Sequence, residues 1–143
     1  MKKAQLAALL VGGAALAVPS AQVTFTTISQ GQQSGIEERR EVVVRDGAAL
    51  AALWKAHAPG ETLPAVDFEA STVVGIFAGM RNTAGHEVEV TGVERDGDAL
   101  VVTWRERRPD PREMVAQVIT FPYHLVRVPR HEGPVRWRQS RVR

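Results

Sequence analysis

From Gly60 to Arg143 no stretch of this sequence carries a helical period. Its apolar residues come in short runs, several alternating with polar ones, and Pro64, Pro109, Pro111, Pro122, Pro129 and Pro134 interrupt them. Proline has no amide proton to give a ladder, so such a chain is confined to short strands and turns over more than half its length. Before that point one segment differs. Asp46 stands as a helix N-cap ahead of Leu50, Leu53, Trp54 and His57, spaced at helical i, i+3, i+4, i+7, and Pro59-Gly60 stops the turn.

The individual strands follow from alternation and breakers. "VTFTTIS" (Val23 to Ser29) predicts a strand, "QGQQSG" a loop, and Glu37 to Arg45 a second strand centred on Val42 to Val44. "STVVGIFAG" is apolar on both faces, as a central strand covered on both sides would be. "HEVEVTGVER" and "ALVVTWRER" form a hairpin about Asp96-Gly97-Asp98. "MVAQVIT", "HLVRV" and "PVRWRQ" supply three more strands. The expected architecture is α+β, one main helix packed on a mostly antiparallel β-sheet, in a single domain over residues 23–143. Leu53, Trp54, Phe77, Val90 and Trp104 are expected to meet in one core between helix and sheet.

Residues 1–20 stand apart. Met1-Lys2-Lys3 is a positive start, Ala4 to Val18 is almost wholly apolar, and Pro19-Ser20-Ala21 ends the run. That is the pattern of a secretory signal peptide, cleaved after Ala17 or Ser20. The run falls short of the roughly 20 apolar residues that a membrane span needs. A secreted or periplasmic location is expected, with an uncleaved anchor as the alternative and no stable span in the mature chain. The net charge of +2 disappears with Lys2 and Lys3, which leaves 16 basic against 16 acidic residues and no general attraction to nucleic acid. With no cysteine, an exported domain of this kind rests on its core alone.

Chemistry-bearing residues are few. His57, His86, His124 and His131 share none of the usual metal-ligand spacings, so no metal site and no cofactor is expected. Nucleophilic catalysis needs a hydroxyl beside a base held by a third group. Ser34, Thr83 and Ser140 are the available hydroxyls, with His57, His86 or Asp67 as partners, and nothing local joins them. Glu87 and Glu89, two apart on a strand whose valines point inward, belong to a solvated face. Arg136 and Arg138 project from one face of "VRWRQ" with Trp137 behind. They suit either an anion-binding surface or a charged outer strand that resists edge pairing.

Several of these segments together resemble a known family. "GQQSGIEERREVVVRD", "LWKAHA", "LPAVDFEASTVVGIFAGMRNTAGHEVEV", "VTWRERRPDP" and "QVITFPYHLVRVP" resemble the C-terminal domain of PrcB-type protease complex subunits, from about Gly31 to Arg138. Ser34-Gly35-Ile36, Leu53-Trp54 with His57, Pro64 with Asp67-Phe68, and Gly79 fit the pattern directly. Arg81, Thr83 and Gly85 fit its polar turn, whereas Ala84 replaces a glycine and His86 a tyrosine.

The resemblance implies a non-catalytic, protein-binding accessory domain that supports the assembly or stability of an extracytoplasmic protease complex. Its partner would be a secreted serine protease or another envelope protein. Arg81, Thr83, Gly85 and His86, with Arg136 and Arg138, are the candidate binding residues, and no catalytic residue is assigned. Two alternatives stand beside it. One is a small envelope hydrolase or metal-dependent enzyme using His57, Asp67 and His86. The other is an anion- or ligand-binding envelope module using Arg81 and the C-terminal arginines.

Overall fold

The computed structural model describes residues 21–141, so the signal-peptide expectation for residues 1–20 lies outside the described residues. The elements run β1 (Ala21–Gln22), β2 (Thr26–Gly31), β3 (Arg40–Val44), α1 (Gly47–His57), β4 (Ser71–Phe77), β5 (Glu87–Asp96), β6 (Ala99–Arg107), β7 (Tyr123–Pro129) and β8 (Val135–Gln139). The helix starts where its cap predicts, with Asp46 Oδ1 accepting from Ala49 N at 2.8 Å. The hairpin turns at Gly97, whose φ of 65° lies in the left-handed region.

The strands form two four-stranded sheets, where the alternation suggested one. An outer sheet has the order β1-β5-β6-β8 and a central sheet the order β2-β7-β4-β3. All pairs are antiparallel except β6 with β8. With one helix among the described residues, the fold is mostly β, in a single domain of three layers: outer sheet, central sheet, helix. Alternation reports that a strand has one buried face. It does not report which sheet the strand joins, and here β7 lies in the central sheet between two strands of the outer one.

The central sheet is therefore buried on both faces, as the doubly apolar "STVVGIFAG" requires. Val74, Ile76, Val126 and Val128 point to the outer sheet, where they meet Val88, Val90, Val93, Leu100, Val102 and Trp104. Val73, Phe77 and Leu125 point the other way, to Leu50, Leu53 and Trp54 of α1. The single core expected for Leu53, Trp54, Phe77, Val90 and Trp104 is in fact two, divided by the central sheet. Gly75 is the thin point of that sheet, since a Cβ there would stand 2.2 Å from Leu125 Cδ2.

Two segments depart from the expected strands. Of the stretch expected at Val23 to Ser29 only Thr26 onward is strand, as part of β2 on the central sheet, and β1 on the outer sheet precedes it. The chain crosses between them at Val23–Phe25 and closes that side of the sandwich. "MVAQVIT" is not a strand. Met114–Ile119 has no strand partner among the described residues, and only Thr120 bridges, to Arg81.

Candidate functional site

The inter-sheet core ends in a polar plug. Trp104 faces that core, and Glu106, two residues further along β6, takes the same face. Its side chain is only 4 % exposed. A buried carboxylate is tolerated only with charge-assisted partners, and the polar turn before β5 supplies them. Arg81 grips it with both arms of its fork, Nε to Oε2 at 2.6 Å and Nη2 to Oε1 at 2.9 Å. The remaining Arg81 nitrogen, Nη1, donates to the carbonyls of Ala78 and Met80. His86 Nδ1 stands 3.5 Å from Oε2 and is buried without a hydrogen bond. Burial alone would raise the Glu106 pKa, but the bond to Arg81 and the charges of Arg81, Arg108 and His86 outweigh it and hold the carboxyl below its ordinary range. The bond to Glu106 correspondingly raises the Arg81 pKa.

The turn itself is a shaped shelf. Thr83 Oγ1 donates to Ala84 O, and Thr83 O accepts from Thr120 Oγ1. Gly85 has φ of 94°, and a Cβ there would meet Pro109 and Val115 at 3.1 Å. Both conformation and space ask for glycine. Four of the six binding candidates, Arg81, Thr83, Gly85 and His86, are thus brought together, with the Arg81 fork turned inward to Glu106. Arg136 and Arg138 lie elsewhere, on edge strand β8. They reach across the exposed face of the outer sheet to Asp96 (3.0 Å) and Glu94 (3.4 Å). Glu87 and Glu89 share that solvated face, paired with Arg107 and Arg105.

The residues of the hydrolase alternative fall into three neighbourhoods. His57 Nδ1 is 2.8 Å from Ser34 Oγ, which also accepts from Ile36 N. Both side chains belong to buried residues, and the imidazole sits edge-on to Trp54, Phe77 and Tyr123. Gly35 N donates to His57 O at 2.7 Å, so Ser34-Gly35-Ile36 pins the loop to the end of α1. Burial lowers the His57 pKa against the opposing pull of Glu61. Asp67 accepts from Glu69 N in its own turn, and His86 belongs to the Glu106 plug. Among the described residues no group of three or more His, Asp or Glu side chains is arranged to hold a metal ion.

Sequence reasoning missed two contacts. Glu106 belongs to no motif, although its i, i+2 relation to Trp104 places it on the core face. His124 alternates with Val126 and Val128, so it too points between the sheets. There Val90 N donates to its Nδ1 at 2.8 Å, which leaves the proton on Nε2 to reach Thr27 Oγ1 at 2.8 Å. Burial lowers the His124 pKa, opposed by Glu89. With Gln30 Nε2 donating to Val88 O, His124 satisfies the edge of β5 that β1 leaves uncovered. A groove of about 320 Å³ lies along this seam between Gln30–Gln32 and Glu87–Glu89.

Among known proteins, residues 72–129 match the family described as PrcB C-terminal. That span runs from β4 through β7 and contains the plug and its shelf. No curated protein and no solved structure matches the chain.

Proposed function

Over residues 72–129 the chain belongs to the PrcB C-terminal family, and from that membership we propose that it is a non-catalytic accessory domain of the cell envelope or secreted fraction. It binds a protein partner, an extracytoplasmic protease being the foremost candidate, and supports that partner's assembly or stability. The family assignment carries this reading. Support comes from the way the polar groups are used: Arg81, Glu106, Ser34, His57 and His124 are all engaged in bonds that hold turns, loops and sheets together. The signal-like residues 1–20 support export.

The test is co-purification. The tagged protein, expressed at native level in its own organism, is cross-linked, isolated from envelope and medium, and probed with a fluorophosphonate that labels serine hydrolases. A labelled protease recovered in constant ratio, whose activity or lifetime falls when the gene is deleted, is the expected result. Recovery of the protein with no protein partner in either fraction overturns the reading.

One contact favours a second reading. The Ser34–His57 pair, 2.8 Å apart, has the chemistry of a nucleophile and its base. A hydrolase built on it would hydrolyse a small ester and lose that activity in Ser34→Ala. An accessory domain would show no such activity in either form.

A further inference from the structure

The segment Met114–Ile119 has the composition of a strand and the surroundings of a loop. Val115, Val118 and Ile119 are β-branched, and the run contains neither proline nor glycine. Yet no strand among the described residues pairs with it. One of its edges is fixed. Ala84 N donates to Ala116 O, and Arg81 and Thr120 exchange both backbone bonds, so the even-numbered residues face the shelf. In an extended chain the odd-numbered ones then face away. At Phe121 that far side is filled, since Phe121 N donates to Gln32 O and Ser34 N donates to Phe121 O. Farther back, among the described residues, the Val115 carbonyl accepts only from the side chain of Gln117, at 3.4 Å. Met114 is 96 % exposed, and Val118, Ile119 and nearby Met80 are about half exposed.

We propose that Val115–Ile119 is a docking strand that takes an extended segment of a partner polypeptide as an added β-strand. The inference rests on the accessory reading and says where that partner binds. Backbone pairing would supply the binding geometry, and Met114, Val118, Ile119 and Met80 the apolar contacts. Charge selects the occupant. Both Glu106 oxygens already serve Arg81, which leaves Arg108, 3.9 Å away and largely exposed, without a carboxylate of its own among the described residues. Arg112, 91 % exposed, bonds among the described residues only to Asp110, two residues before it. The partner segment therefore alternates apolar and polar residues and carries a carboxylate at the end that meets Arg108 and Arg112. A second copy of this chain fits less well. In a two-fold antiparallel pair centred on Gln117, Arg112 would face Pro122, in a stretch from Ile119 to His124 with no acid. An anionic lipid surface would be opposed by Asp110 and Glu113 beside Met114.

The probe is a displayed library of random eight-residue peptides selected on the purified protein. The expected winners alternate apolar and polar residues, carry at least one acid, and slow hydrogen exchange at the Val115, Gln117 and Ile119 amides. Gln117→Pro removes an outward amide from an exposed site and should weaken the winners by about tenfold, as expected when a paired backbone bond is lost. Gln117→Ala keeps the amide and should keep the affinity. Arg108→Glu with Arg112→Glu should shift selection toward basic peptides, and thermal melts of all variants check folding. The proposal is overturned by failure to enrich any peptide, by protection of another segment, by a dimer that Gln117→Pro dissolves, or by sedimentation with phosphatidylglycerol vesicles. A native protease that binds wild type and Gln117→Pro equally would remove the docking strand and leave the accessory reading. Peptide binding with no native protein partner would do the reverse.

Discussion

Arg105 and Glu106 are neighbours on β6, and each makes an arginine–glutamate pair on opposite faces of the strand. Arg105 reaches Glu89 across the hairpin at 2.9 Å, with both side chains more than 40 % exposed. Glu106 turns inward to Arg81 at 2.6 Å and is almost wholly buried. The chemistry is the same and the consequences are not. Water solvates either partner of the outer pair when the other leaves, so that pair is worth about 0–1 kcal/mol. The inner carboxylate has no such recourse. Its burial is tolerable only while Arg81 is present, so the inner pair acts as a condition for closing the end of the inter-sheet core.

The largest expected effect comes from breaking the inner pair on its cationic side. Arg81→Met keeps the side chain's bulk and strands Glu106, which should cost about 3–5 kcal/mol at pH 7 in chemical denaturation. The pH dependence checks the cause. In the wild type the Glu106 pKa is depressed, so its contribution is present above the ordinary value of 4.5 and is lost as the pH falls below it. In Arg81→Met the carboxyl would rather be protonated, so the gap from wild type should narrow between pH 7 and pH 4. A gap that stays constant would mean that Arg81 acts through its bonds to Ala78 and Met80 alone. Adding Glu106→Leu removes the stranded charge and should return stability to within about 2 kcal/mol of wild type.

His124 offers an intermediate case: a buried polar group that is satisfied only while neutral. Its Nδ1 accepts from Val90 N, and protonation would set two N–H groups against each other. Because burial depresses its pKa, its contribution is fully present above 6.5 and is lost as the pH falls toward the lower folded value. His57 behaves alike. Wild-type stability should therefore decline from pH 7 to pH 5. His124→Gln keeps an acceptor that does not titrate. It should cost about 1–3 kcal/mol at pH 7 and flatten part of that decline, which denaturation midpoints across the range would show.

These contacts also mark the limit of what the sequence made legible. Local rules found α1 through Asp46 and the four-residue spacing of its apolar face, and found the hairpin through Asp96-Gly97-Asp98. The same rules placed Glu87 and Glu89 on a solvated face. They could not assign strands to sheets, because the inward face of β7 and that of β5 carry the same alternation. Nor could they pair Ser34 with His57, or Arg81 with Glu106, which lie 23 and 25 residues apart. A signal for the second pair was present all the same, since Trp104 and Glu106 alternate on one strand. A carboxylate on a core face asks for a cation, and Arg81 is the arginine nearest the start of the paired strand. "MVAQVIT" failed in the other direction. It has the composition of a strand, but among the described residues the fold provides no strand beside it.

The smallest expected effect returns to the outer pair. Arg105→Ala, Glu89→Ala and the double variant form a cycle whose coupling should be about 0.2–1 kcal/mol at low salt. The geometry is favourable, since Nε and Nη2 of Arg105 both reach Glu89 Oε1, at 3.1 and 2.9 Å. Solvent nevertheless surrounds both groups, and at 1 M salt the screening length falls to about 3 Å, so the coupling should vanish. The Arg81–Glu106 coupling, shielded from ions, should survive the same salt nearly unchanged. If the outer coupling instead persisted in high salt, or matched the inner one, burial would not be what separates the two pairs. The bidentate grip of Arg81 and its carbonyl bonds would then have to account for the difference.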